Sequence, residues 1–126
     1  TNKRYGRVGD SPIIGAGTYA NADCAVSGTG WGEFYIRAAA AHDICARMAY
    51  LKETPQQAGE AVINQVIPKL GGDGGAIVLG SDGAIATPFN TEGMYRGWIG
   101  ADGVPHVALY SSETLPSHGP GGVAKP

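Results

Sequence analysis

The sequence predicts an α+β fold whose sheet is covered on one face only. Three observations predict it. Two helical periodicities follow one another with no strand between them, a series of short apolar runs separated by turn residues comes after them, and no internal repeat divides the 126 residues. Two helices can cover one face of a sheet, whereas strands of small alternating residues need cover on both. The chain reads as half of a larger layered structure, and a mass of 12.9 kDa allows a single core.

Residues 1 to 20 are rich in glycine and have no apolar period, so they are expected to form a loop or extended entry segment. Cys24 to Gly28 suits a short buried strand, and Gly28-Thr29-Gly30-Trp31-Gly32 makes a glycine-rich turn. From Glu33 the pattern turns helical, with Ile36, Ala40, Ile44 and Met48 four residues apart, and one long amphipathic helix to about Lys52 is expected. Thr54, Pro55 and Gln57 then form an N-cap, first-position proline and capping-box acceptor. Ala58, Val62, Ile63, Val66 and Leu70 give this second helix its apolar face, and it should end between Pro68 and Gly72. Two apolar runs around Ser81-Asp82-Gly83 predict a hairpin, with further strands over Tyr95 to Ile99 and His106 to Tyr110. Residues 1–110 are expected to fold together, and 111–126, with little apolar content, to be a mobile tail.

Nine Lys and Arg against eleven Asp and Glu give a charge of -2 without a basic cluster, which argues against nucleic acid as a partner. The strongest apolar stretch, around Ile77 to Leu79, is far too short to cross a membrane. No charged-then-apolar leader opens the chain, so a soluble, cytoplasmic and already processed protein is expected. Cys24 and Cys45 are far apart, with no further ligand at metal spacing, so two buried reduced thiols are expected and no metal site. His42, His106 and His118 accompany no serine-elbow, zincin or Walker motif.

Two segments concentrate chemistry. In Gly6-Arg7-Val8-Gly9-Asp10-Ser11-Pro12 a guanidinium suited to bidentate carboxylate binding stands near a carboxylate that can accept from an ammonium. Together they could grip both charged ends of an amino acid, or merely pair with each other across a turn. At Gly28-Thr29-Gly30-Trp31-Gly32-Glu33 the main chain lies open at a strand-to-helix junction, and Thr29 adds a hydroxyl. A site for a developing oxyanion and a turn shaped for packing both fit these residues.

These segments, with Gly15-Ala16-Gly17-x-Tyr19-Ala20, Gly71-Gly72-x-Gly74-Gly75 and Phe89-Asn90-Thr91-Glu92-Gly93-Met94-Tyr95-Arg96, resemble in order and spacing the β subunit of plant-type L-asparaginases, or isoaspartyl peptidases. The likeness extends to about Tyr110. It implies an N-terminal nucleophile hydrolase, a four-layer αββα sandwich of which this chain is half, completed by an α subunit cut from the same precursor, with two αβ units pairing as (αβ)2. It further implies hydrolysis of L-asparagine and β-aspartyl dipeptides by an N-terminal Thr.

Carried over by position, the resemblance gives Arg7 the substrate α-carboxylate and Asp10 the α-ammonium. Thr29 and Gly30 receive the oxyanion hole and the side-chain carbonyl, and Glu33 a part, together with the Arg, in a switch that orders the site in potassium-dependent members. An activating potassium or structural sodium would belong to the α subunit. Thr1 is followed by Asn2-Lys3-Arg4 rather than the family's Val-Gly-Ala-Val, so it is not expected to be the nucleophile. That residue, its strand and a second Thr-Gly-Gly motif are expected upstream, which leaves this chain inactive alone. A glycosylasparaginase and a non-catalytic binding or assembly subunit are the alternatives.

Overall fold

The computed structural model describes residues 3–113. Thr1 and the greater part of the expected tail, residues 114–126, lie outside the described residues. In chain order the elements are β1 (Thr18–Ala20), β2 (Cys24–Gly30), α1 (Gly32–Ala38), α2 (Ala40–Ala46), α3 (Pro55–Ala61), α4 (Ile67–Lys69), β3 (Gly74–Gly80), β4 (Ile85–Ala86), β5 (Gly93–Ile99) and β6 (Pro105–Tyr110). β1 to β4 form one antiparallel sheet in sequence order, and β5 pairs with β6 in a separate hairpin. The α+β class is as expected. No helix among the described residues is long and apolar enough to cross a membrane.

The long helix expected from Glu33 to Lys52 is broken. Ala39 takes a left-handed conformation, φ 47° and ψ 50°, between α1 and α2, and a π-helical turn at Arg47–Leu51 continues α2. The reason is tertiary, because the Ala41 and His42 amides at the start of α2 donate to the Ala16 and Gly15 carbonyls. The break thus hangs the entry loop on α2. Thr54 caps α3 as expected, accepting from the Gln57 amide while the Gln57 side chain accepts from the Thr54 amide. A second π-helical turn, Val62–Val66, leads to α4.

Cys24 and Val26 of β2, Ala76 and Val78 of β3 and Ala86 of β4 point toward the helices. There they meet Tyr35, Ala40, Ala41, Ile44, Cys45, Ala58, Val62, Ile63 and Ile67. Burying each Val or Ile side chain contributes about 1.5 to 3 kcal/mol. Ile67 belongs to this core, whereas Leu70, placed by periodicity on the apolar face, is exposed. The expected free thiols are corrected: Cys24 and Cys45 form a disulfide with Cα atoms 5.6 Å apart. Sequence spacing carried no sign of it, because only the packing of α2 on β2 brings the two residues together.

On the other face the register pairs Ala25 with Leu79, Ser27 with Ile77 and Thr29 with Gly75. Ile77, Leu79 and Ile85 stand exposed there, among the described residues without cover. The β5–β6 hairpin is fastened from within. Arg96, 7% exposed, lies 4.8 Å from the Phe89 ring centroid and donates to the carbonyls of Met94, Leu109, Tyr110 and Glu113. The Glu113 carboxylate accepts from the Leu109 and Tyr110 amides, which holds its pKa below the usual value.

Candidate functional site

Asp10 is built into the entry loop by its own carbonyl, which accepts from the Ile13 amide at 2.9 Å and the Gly17 amide at 3.2 Å. The hydrogen bonds from α2 to the Gly15 and Ala16 carbonyls tie this loop to the helix. The Asp10 side chain is only 5% exposed and lies between Gly17 and Gly32. A Cβ on Gly17 would come within 2.5 Å of Oδ2, and one on Gly32 within 2.6 Å of Oδ1. Glycine at both positions is what makes room for the carboxylate. Oδ2 is buried and, among the described residues, accepts no hydrogen bond. A buried acceptor left without a donor costs about 1 to 3 kcal/mol, more when charged, so this arrangement calls for a cationic donor.

Arg7 is exposed on the same loop, its amide donating to the Arg4 carbonyl at 3.1 Å. Among the described residues it forms no ion pair, and specifically none with Asp10. The pairing of these two residues across a turn is therefore not what the loop does.

Thr29 and Gly30 are strand residues rather than a turn, since β2 runs on to Gly30 against Gly74 and Gly75 of β3. Gly30 has φ +146°, and a Cβ there would strike the Asp73 carbonyl and the Gly74 Cα. Gly74, at φ +139°, excludes a Cβ in turn because of the Thr29 carbonyl. The two strand ends approach this closely only as glycine on glycine. Beneath them lies Tyr35, 1% exposed. Side-chain atoms added at Gly28 or Gly30 would stand 3.0 or 3.1 Å from its ring, and its hydroxyl donates to the Gly75 carbonyl at 3.3 Å. Burial first, and the negative charges of Asp10 and Asp73 second, push the Tyr35 pKa well above the ordinary tyrosine value.

Asn90 fastens the same junction from the far side. Its Oδ1 accepts from the Gly74 amide and its Nδ2 donates to the Ile63 carbonyl, each at 2.8 Å. The glycine tract at 71–75 and the Phe89-Asn90 run thus hold the strand end that carries Thr29.

Arg7, Asp10, Thr29 and Gly30 line one cavity of about 230 Å³, together with Lys3 and Ser11. Four of the five residues singled out in the sequence are brought together. Glu33 is not on this wall; it is exposed in the first turn of α1, where an acidic side chain complements the helix dipole. Sequence reasoning gave no role to Lys3 or Tyr35 and none to Gly17 or Gly32 beyond motif membership. Nothing in the sequence marks the last pair, since Gly17 and Gly32 both follow Asp10 in the chain and flank its carboxylate only in the fold.

A protein-family model described as asparaginase matches residues 1–109. An isoaspartyl peptidase of Escherichia coli (strain K12) is 53% identical over 111 residues, covering 87% of this chain and 35% of that protein. A probable isoaspartyl peptidase/L-asparaginase of Arabidopsis thaliana is 44% identical over 109 residues, 86% of this chain and 33% of that protein. A plant-type L-asparaginase of Pyrococcus abyssi is 42% identical over 93 residues, 73% of this chain and 30% of that protein. The chain spans about a third of the length of the curated relatives it matches.

Proposed function

The chain belongs to the asparaginase family, and from that premise we propose that it is the substrate-gripping part of an amidohydrolase acting on the side-chain amide of L-asparagine and of β-aspartyl dipeptides. The observation that carries this reading is the buried Oδ2 of Asp10, without a donor among the described residues, in the same cavity as Arg7, which has no ion-pair partner among them. A free α-amino acid supplies the two missing charges at once. Its α-ammonium donates to Asp10, and its α-carboxylate takes the parallel N–H pair of Arg7.

In this reading the substrate carbonyl is presented at Thr29 and Gly30, whose hydroxyl and main chain receive the charge that develops on oxygen. The attacking group is the hydroxyl of an N-terminal Thr on a segment other than those described, with its α-amine as base. Addition to the carbonyl gives a tetrahedral intermediate, its collapse breaks the C–N bond as the leaving amine takes the proton that the α-amine removed from the Thr hydroxyl, and water then cleaves the Thr ester to release aspartate. The sheet face bearing Ile77, Leu79 and Ile85, without cover among the described residues, is assigned to a second sheet supplied by an α subunit, completing the αββα sandwich, and two such units pair as (αβ)2.

The test compares L-asparagine with succinamic acid, which lacks only the α-amine, in the mature protein that carries this chain. Asp10→Asn should reduce kcat/KM for L-asparagine by roughly tenfold or more and affect succinamic acid much less. Equal damage to both substrates, or none to either, would remove the proposed role of Asp10.

A further inference from the structure

We propose that Lys3 is the specificity-determining residue of this site, binding the carboxylate that a β-aspartyl dipeptide carries on its leaving group. The inference rests on the amidohydrolase reading and goes beyond it, because it concerns which amide the site prefers. It starts from a census of charge. The cavity wall holds two cations, Lys3 and Arg7, and one anion, Asp10. Among the described residues neither cation has an ion-pair partner, whereas Arg47 is engaged by Asp43 and Glu53.

L-Asparagine brings one carboxylate and one ammonium, which Arg7 and Asp10 match, and it leaves the Lys3 charge over. A β-aspartyl dipeptide brings the same pair and a second carboxylate, at the C-terminus of the departing amino acid. Two carboxylates and one ammonium are the complement of two cations and one carboxylate. The residue types also divide the work sensibly. Arg7, with a planar fork, suits the carboxylate whose geometry is fixed by the Asp10 contact, while Lys3, a point charge on a flexible stem, suits a carboxylate whose position varies with the leaving side chain. Lys3 is exposed, as a contact to the outermost part of a substrate requires.

The experiment measures kcat/KM in the mature protein for three substrates: L-asparagine, β-aspartyl-leucine, and β-aspartyl-leucine amide, in which the second carboxylate is absent. Lys3→Ala should lower the preference for β-aspartyl-leucine over L-asparagine by roughly tenfold, chiefly through KM, and Lys3→Arg should restore most of it. The preference for the leucine amide over L-asparagine should move much less. A uniform loss on all three substrates, or an unaltered preference ratio, would overturn the role of Lys3 while leaving the amidohydrolase reading in place. Absence of turnover of every substrate by the unsubstituted protein would overturn both.

Discussion

Arg7 and Asp10 line the same cavity yet do not pair with each other, the one exposed and the other buried with an oxygen that accepts no hydrogen bond among the described residues. The proposed function takes these two separated charges as the grip for the ends of a free amino acid. Arg7→Lys keeps the charge and discards the fork, and should cost about 1.5 to 3 kcal/mol in kcat/KM for L-asparagine. Steady-state kinetics check this, and a loss smaller than twofold would return the loop to a structural role.

Gly32→Ala places a methyl against both the carboxylate and the amide of Asp10, at 2.6 and 2.9 Å. Displacement of the Asp10 carboxylate should raise KM for L-asparagine by roughly tenfold or more, as expected for a mispositioned contact. Kinetics together with a thermal melt separate this from general unfolding.

Tyr35 keeps its proton in the folded protein to a higher pH than it would unfolded. Above the ordinary tyrosine value of about 10, the unfolded chain therefore sheds a proton that the folded chain retains, and stability falls as pH rises through that window. Tyr35→Phe forfeits the hydrogen bond to Gly75, costing about 1 kcal/mol near neutrality, but should flatten the alkaline fall. Urea unfolding at pH 8, 10 and 11 reads both effects, and an equally steep fall in the variant would contradict them.

The Cys24–Cys45 bridge fastens β2, the strand that ends in Thr29 and Gly30, to α2, the helix that carries the Asp10 loop. Its removal by reduction should lower unfolding stability by about 2 to 4 kcal/mol. Such bonds persist in oxidising compartments and are reduced in the cytosol, so the stability of the site depends on where the protein resides. Denaturant titration with and without reductant checks the magnitude. Thiol counting on the unreduced, denatured protein should find neither cysteine free.

What was legible in the sequence was local. Thr54, Pro55 and Gln57 announce a helix start because a capping box is complete within one turn. The Arg7 and Asp10 loop was legible because glycine, charge and proline mark a turn with unusual chemistry. What was not legible depends on partners distant in the chain. Ala39 carries no signal for a left-handed conformation, which follows from the Gly15 and Ala16 carbonyls. β1 hid in a glycine-rich stretch because it has three residues and pairs with β2 alone. The last two residues of β2 looked like a turn until Gly74 and Gly75 supplied the neighbouring strand.

Leu109 and Tyr110 are held by opposite charges from opposite sides, their amides by the Glu113 carboxylate and their carbonyls by the Arg96 guanidinium. The two peptide groups thus act as a polarised relay, joining an anion and a cation that never touch. Acid can cut this relay at one end only. The Glu113 contribution is present above the ordinary carboxylate range and fades as pH falls through the group's lowered value, whereas the guanidinium keeps its charge throughout. Only acid below the ordinary carboxylate range should therefore loosen the end of β6 while the carbonyls stay moored, so that the hairpin frays from Glu113 inward without losing its register.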